Sequence, residues 1–147
     1  MTIALDYANW FAAVAKIVNS AHLEVAGQRP ADNDPSFPAW QKKAVQLTDI
    51  YSALAGAAMQ LRNSDAHAVM TQIAPQLTAI QDQTKKAQAV ITKIADWNSA
   101  MKLIAAFGAV AVSIGAVVAD PVAGAAGLVK SGSALATALK PYVDGKK

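Results

Sequence analysis

The sequence predicts an all-α fold, an antiparallel bundle of four to five helices carrying a C-terminal Ala/Gly-rich hydrophobic helical hairpin. Three observations predict it. Apolar residues recur at alternating spacings of three and four along most of the chain, which places them on single helix faces. No run of alternating β-branched residues is bounded by hairpin turns. Alanine supplies 34 of the 147 residues and aromatics only nine, so the core must be thin and its elements closely approached, which suits helices better than sheets.

The first helix spans 3 to 26, where Ile3, Tyr7, Trp10, Val14, Ile17 and Ala21 share a face and Gly27 supplies the stop. QRPADNDPSFP follows, a loop by its three prolines and two aspartates. A second helix begins near Ser36 to Pro38 with the stripe Trp40, Ala44, Leu47, Tyr51, Leu54, Ala58 and Leu61, and Asn63-Ser64-Asp65 ends it while offering a cap to the next element. A short helical stretch with Val69, Met70 and Ile73 runs from Asp65 into Pro75, which removes a backbone donor. Beyond it Leu77, Ile80, Thr84, Ala87, Ile91, Ile94, Asn98 and Met101 keep the three-four spacing, which continues through Ala105, Gly108, Val112 and Gly115. Unbroken to Ala119, that helix would have about 44 residues and a length of roughly 66 Å. Trp97-Asn98-Ser99 is the expected break. Asp120-Pro121 marks a boundary, an aspartate cap followed by proline at the first helical position. The last helix is expected to run to about Leu139, where Pro141 closes it.

Charge divides the chain. Up to Asn98 eight basic residues face eight acidic ones; the net +3 arises wholly after it, from Lys102, Lys130, Lys140, Lys146 and Lys147 against Asp120 and Asp144. Residues 1–98 are accordingly read as an amphipathic bundle region, 99–141 as the hydrophobic hairpin packing on or projecting from it, and 142–147 as a flexible basic tail.

Residues 103–119 form a charge-free run of 17, at the bottom of the range that spans a hydrocarbon core. Leu103, Ile104, Phe107, Val110, Val112, Ile114, Val117 and Val118 together contribute roughly −2.5 to −5 kcal/mol on an insertion scale, whereas Lys130 in the following arm costs roughly 2.5 to 3.5. The second arm would therefore enter only with the first, Lys130 snorkelling or facing water. The residues expected to enter a membrane are Leu103, Ile104, Phe107, Val110, Ile114, Val117 and Val118, with Asp120 at the tip. A carboxylate there enters lipid more readily when protonated, so acid would favour insertion; Asp120 also serves as the cap of the last helix. Trp97, Lys102 and Lys130 are the expected interface anchors. Small residues recur at every fourth position, including Ala105, Ala109 and Ser113, then Ala123, Gly127 and Ser131; Gly108, Gly115, Gly124, Gly127 and Gly132 are the expected close-packing points, although an alanine-rich chain produces such spacings by composition as well.

This layout resembles that of α-helical pore-forming toxins, in which a helical bundle shelters a hydrophobic hairpin and releases it at a bilayer, and more loosely that of phage holins. The likeness is one of layout, carried by no motif. It implies insertion and oligomerisation, with the lipid bilayer and further copies of the chain as partners. The alternative is a soluble self-associating bundle acting as scaffold, adaptor or structural subunit, with the apolar run as its buried centre.

Chemistry is sparse. Without cysteine there are no disulfides, thiolate nucleophiles or Cys-based metal sites. His22 and His67 have no partner at ligand spacing, and no metal or cofactor is expected. Gly124 to Ser131 approaches the phosphate-loop pattern GxxxxGK[ST], but Val129 stands where the last glycine belongs. Nucleotide binding is not expected. Lys42-Lys43 and Lys85-Lys86 lie near Asp49 and Asp82 and read as solvated faces, so no nucleic-acid partner is expected either. The acids are scattered singly, and no enzyme is predicted. MTIALDYANW lacks the basic n-region of an export signal, which predicts membrane association or release by a signal-independent route, or a cytoplasmic location under the alternative.

Overall fold

The structure, a computed structural model, describes residues 3–62, 74–93 and 100–143. Among them are five helices and no strand: α1 (Ile3–Ala26), α2 (Phe37–Leu61), α3 (Ala74–Lys93), α4 (Met101–Ala119) and α5 (Pro121–Val143). The stretch around His67, the break at Trp97-Asn98-Ser99 and the tail from Asp144 lie outside the described residues.

The helices close into a ring. α1 packs between α2 and α3, α2 also against α4, α4 against α5, and α5 back against α3, with α3 touching α4 as well. Apolar side chains from all five fill the centre. On α1 the fully buried face is Tyr7, Phe11, Val14 and Val18, with Ala21 and Val25 continuing it, while Trp10 and Ile17 are only half-buried. That arc lies to one side of the expected stripe because α1 must fill the space between two neighbours. α2 shows the same displacement. Ile50 is buried and Tyr51, expected in the stripe, is exposed. On α3, Ile80, Thr84, Ala87 and Ile91 are buried as their spacing predicts.

Two polar contacts cross or line this core. Thr84 Oγ1 donates to the Ile80 carbonyl at 2.8 Å and its hydroxyl also partners the Tyr7 phenol. Burial pushes the Tyr7 phenol well above its ordinary value, against the smaller opposing effect of the Thr84 hydrogen bond, and it stays neutral.

The α1–α2 connection is tied at three points. Trp40 Nε1 donates to the Val25 carbonyl at 2.7 Å, an acceptor that also takes the Gln28 N–H at 3.0 Å. The Arg29 guanidinium lies 5.2 Å from the Phe37 ring and 5.7 Å from that of Trp40, and bonds Asp32 at 2.6 Å. Asp34 Oδ1 accepts from the Ser36 hydroxyl and N–H, which hold its carboxyl below the ordinary value; the small stabilisation this brings is present above the unfolded-state value and is lost as pH falls through the lowered one. Trp40→Phe is expected to cost about 1 kcal/mol through the lost bond to the Val25 carbonyl, which keeps the Gln28 N–H as a donor, read as a lower urea midpoint with unchanged slope.

Of the run from 76 to 119, the described residues form two helices, α3 and α4, both packed into the ring. Val112, in register with the α3 stripe by sequence, is exposed on α4. At the other end α5 runs through Pro141 to Val143 instead of stopping at Leu139. Proline in the last turn sacrifices one backbone bond, and half-buried Tyr142 packs against the core just beyond it.

Candidate functional site

α4 contains no proline and no charge after Lys102. It ends because Asp120 turns extended (φ −149°, ψ 94°) before proline. The Asp120 N–H donates to the Ala116 carbonyl and the Asp120 carbonyl accepts the Gly124 N–H, both at 2.8 Å, so the residue closes α4 and occupies the cap position of α5. Its exposed side chain sits at this corner.

A one-residue connection forces the start of α5 against the end of α4. Gly124 answers that constraint: a Cβ there would stand 2.6 Å from Val117 Cα and 2.7 Å from Val117 N. Further along, the Ser113 hydroxyl donates to the Gly127 carbonyl at 3.3 Å and the Ser131 hydroxyl donates to Ser113 Oγ at 2.9 Å. Lys102, Leu103 and Ala106 share a groove of about 630 Å³ with Thr137, Ala138 and Tyr142 at the far end. Contacts thus move up α4 as they move down α5, and the chain direction reverses at Asp120.

Of the residues expected at lipid, Leu103, Ile104, Phe107, Val110, Ile114 and Val117 are all buried in the ring's core, Phe107 edge-on to Phe11 with centroids 5.6 Å apart. The side chain of Val118 and the whole of Trp97 lie outside the described residues, and Lys102 and Lys130 are exposed. The five glycines fall into distinct situations. A Cβ at Gly108 would meet Ile50 Cγ2 at 3.1 Å, at Gly115 Gln60 Oε1 at 3.3 Å, and at Gly132 it would collide with Ile80 Cγ2; at Gly127 it would meet nothing within 4 Å. Gly108 therefore seats α4 on α2, and Gly132 seats α5 on α3. Gly127 contributes its carbonyl rather than a lack of side chain.

Val112, placed in the apolar stripe by sequence periodicity, is 60% exposed, and Met59, which that periodicity did not single out, is 73% exposed. They border a groove of about 410 Å³ between α2 and α4, whose other walls include Gly56, Ala57, Ala111 and Gly115. Met59 falls off the α2 stripe, which was the available signal.

Gly124 to Ser131 is helical throughout, so its backbone N–H groups point along α5 and not into a loop. Among the described residues no group of three His, Cys, Asp or Glu side chains could hold a metal ion, and no helix is long and apolar enough to cross a membrane. Compared with protein-family models, curated proteins and solved structures, the chain matches none.

Proposed function

We propose that this protein acts at membranes: the C-terminal hydrophobic hairpin, residues 99–141, leaves the bundle and enters a bilayer as part of a homo-oligomer. One observation carries the reading. Beyond Lys102, α4 is apolar on both its inner and outer faces, with Leu103, Ile104, Phe107, Val110, Ile114 and Val117 inward and Ala109, Val112 and Ala116 outward. A helix that serves only as one wall of a soluble bundle keeps a polar outer face. For α4, exchanging helix neighbours for lipid costs little on either face.

Length limits how entry occurs. Seventeen charge-free residues measure about 25 Å against a hydrocarbon core of about 30 Å. Entry as a pair with α5, with local thinning of the bilayer, closes that gap. The contact at Gly124 and the Ser113–Ser131 bond are interactions the pair can keep in lipid, where close backbones and interhelical hydrogen bonds drive association. The second reading, a soluble self-associating bundle serving as scaffold or structural subunit, is favoured by the complete burial of the inward residues in this state.

A disulfide lock separates the two. A Cβ at Gly108 lies 3.7 Å from that of Ile50, within disulfide range, and the chain has no cysteine to interfere. Ile50→Cys/Gly108→Cys should release dye from anionic liposomes when reduced and fail to do so when oxidised, because α4 is then tied to α2. Dye retention by wild-type protein that does not float with liposomes in either condition selects the soluble assembly.

A further inference from the structure

The α2–α4 face invites the question of what covers it. At spacings of three and four, Lys102, Ala105, Ala109, Val112 and Ala116 make one face of α4; all but half-buried Ala105 are exposed, and Asp120 is exposed just beyond its end. The stripe is therefore apolar along its length, with a positive charge at one end and a negative charge at the other. Residue 111 lies midway between Lys102 and Asp120, beside Val112 and on the wall of the α2–α4 groove.

We infer that this face is a twofold interface with a second copy of the chain, α4 against α4 in antiparallel orientation about an axis near Val112. A twofold contact needs a self-complementary surface. Here the projections and the hollow adjoin: Val112 and Met59 stand beside a groove floored by Gly56, Ala57, Ala111 and Gly115. Rotation about an axis near Val112 sets that side chain against its own copy and turns each groove toward the partner. It also brings each Lys102 to the partner's Asp120 level. A parallel pairing would instead set lysine against lysine and aspartate against aspartate, and an anionic bilayer would attract Lys102 while repelling Asp120. Charge arrangement thus selects both the partner and the direction.

The size is adequate. The stripe is about 27 Å long at 1.5 Å per residue, and with α2 alongside at about 10 Å the face offers about 500 Å² per copy, close to 1,000 Å² in total, the lower limit of specific interfaces. A reversible dimer with micromolar affinity is the result to be expected of such a contact. The end-to-end ion pairs lie at the rim and contribute orientation more than strength. This interface is a property of the folded bundle and does not depend on the membrane reading; its test contains no lipid.

Sedimentation velocity of the full chain should show a species of about 30 kDa, twice the 15.2 kDa of one chain, dissociating on dilution. Val112→Glu changes an exposed side chain, so the fold persists by circular dichroism while dimer affinity falls about tenfold or more. Lys102→Asp should weaken the dimer, and Lys102→Asp/Asp120→Lys should restore it, a recovery that a general loss of stability cannot produce. In this cysteine-free background Val112→Cys should cross-link to itself on oxidation, and a mixture of Lys102→Cys and Asp120→Cys should cross-link more than either alone. A 15.2 kDa species at every concentration overturns the interface. A dimer in which Lys102→Cys cross-links to itself as readily as to Asp120→Cys overturns the antiparallel arrangement, and a dimer indifferent to Val112→Glu places the contact on another face.

Discussion

Phe107→Ala should lower folding stability by about 3–5 kcal/mol, the largest loss of any single side chain on α4. The ring is fully buried. It stands edge-on to Phe11, with centroids 5.6 Å apart and planes 87° apart, and Phe11 in turn meets Tyr7 at 6.0 Å. The lost transfer energy, the cavity and the aromatic pair therefore add in one place. In a domain whose whole stability is of the order of 5–15 kcal/mol, the urea midpoint followed by circular dichroism should fall by about a fifth or more. A midpoint within a few tenths of wild type would show that Phe107 is not at the centre of the folded state in solution. The same substitution speaks to function. Loosening α4 in the ring should hasten its release, so under the membrane reading Phe107→Ala should permeabilise liposomes faster than wild type despite being less stable.

Gly124→Val should cost about 3 kcal/mol, the upper end of the range for overpacking, and for a different reason. The atoms a Cβ would strike are backbone, Val117 Cα at 2.6 Å and Ala116 C at 2.9 Å, so no rotamer change relieves the collision. α5 must swing away from α4, and the single residue Asp120 leaves no slack to absorb the movement. The Ser113–Ser131 hydrogen bond should go with it. Gly127→Ala is the matched control on the same helix. Its Cβ enters open space, and the gain in helix propensity should raise stability by about 0.5–1 kcal/mol. Opposite signs at two glycines three residues apart, measured by denaturant unfolding, locate the α4–α5 contact. Loss at both, or gain at both, would contradict this helix register.

Several elements were legible before the structure. Gly27 after a three-four stripe marked the end of α1 to within a residue, and Asp120-Pro121 marked the corner between α4 and α5. Both signals are local, since cap geometry and proline chemistry involve only near neighbours in the chain. The burial phase was less legible. Tyr51 and Ile50 are adjacent and both apolar enough for the core, and only the position of Gly108 opposite Ile50 decides between them. Val112 illustrates the same limit, since it kept the apolar spacing by sequence and is exposed on α4. At the α4–α5 pair the small residues were visible as a pattern, yet Gly124 and Gly127 look alike until the neighbouring helix is in place.

By itself the sequence determined the all-helical character, the bounds of α1 and the α4–α5 corner, and the charge-free stretch between Lys102 and Asp120. These follow from backbone propensity, capping and composition, which are written along the chain. Only the tertiary structure decided that the apolar residues of α4 divide into a buried face led by Phe107 and an exposed one centred on Val112. Which side of a uniformly apolar helix meets protein is not encoded in its own periodicity, because every side would accept burial. It is set by which neighbours reach it, here α2 through Gly108 and α5 through Gly124.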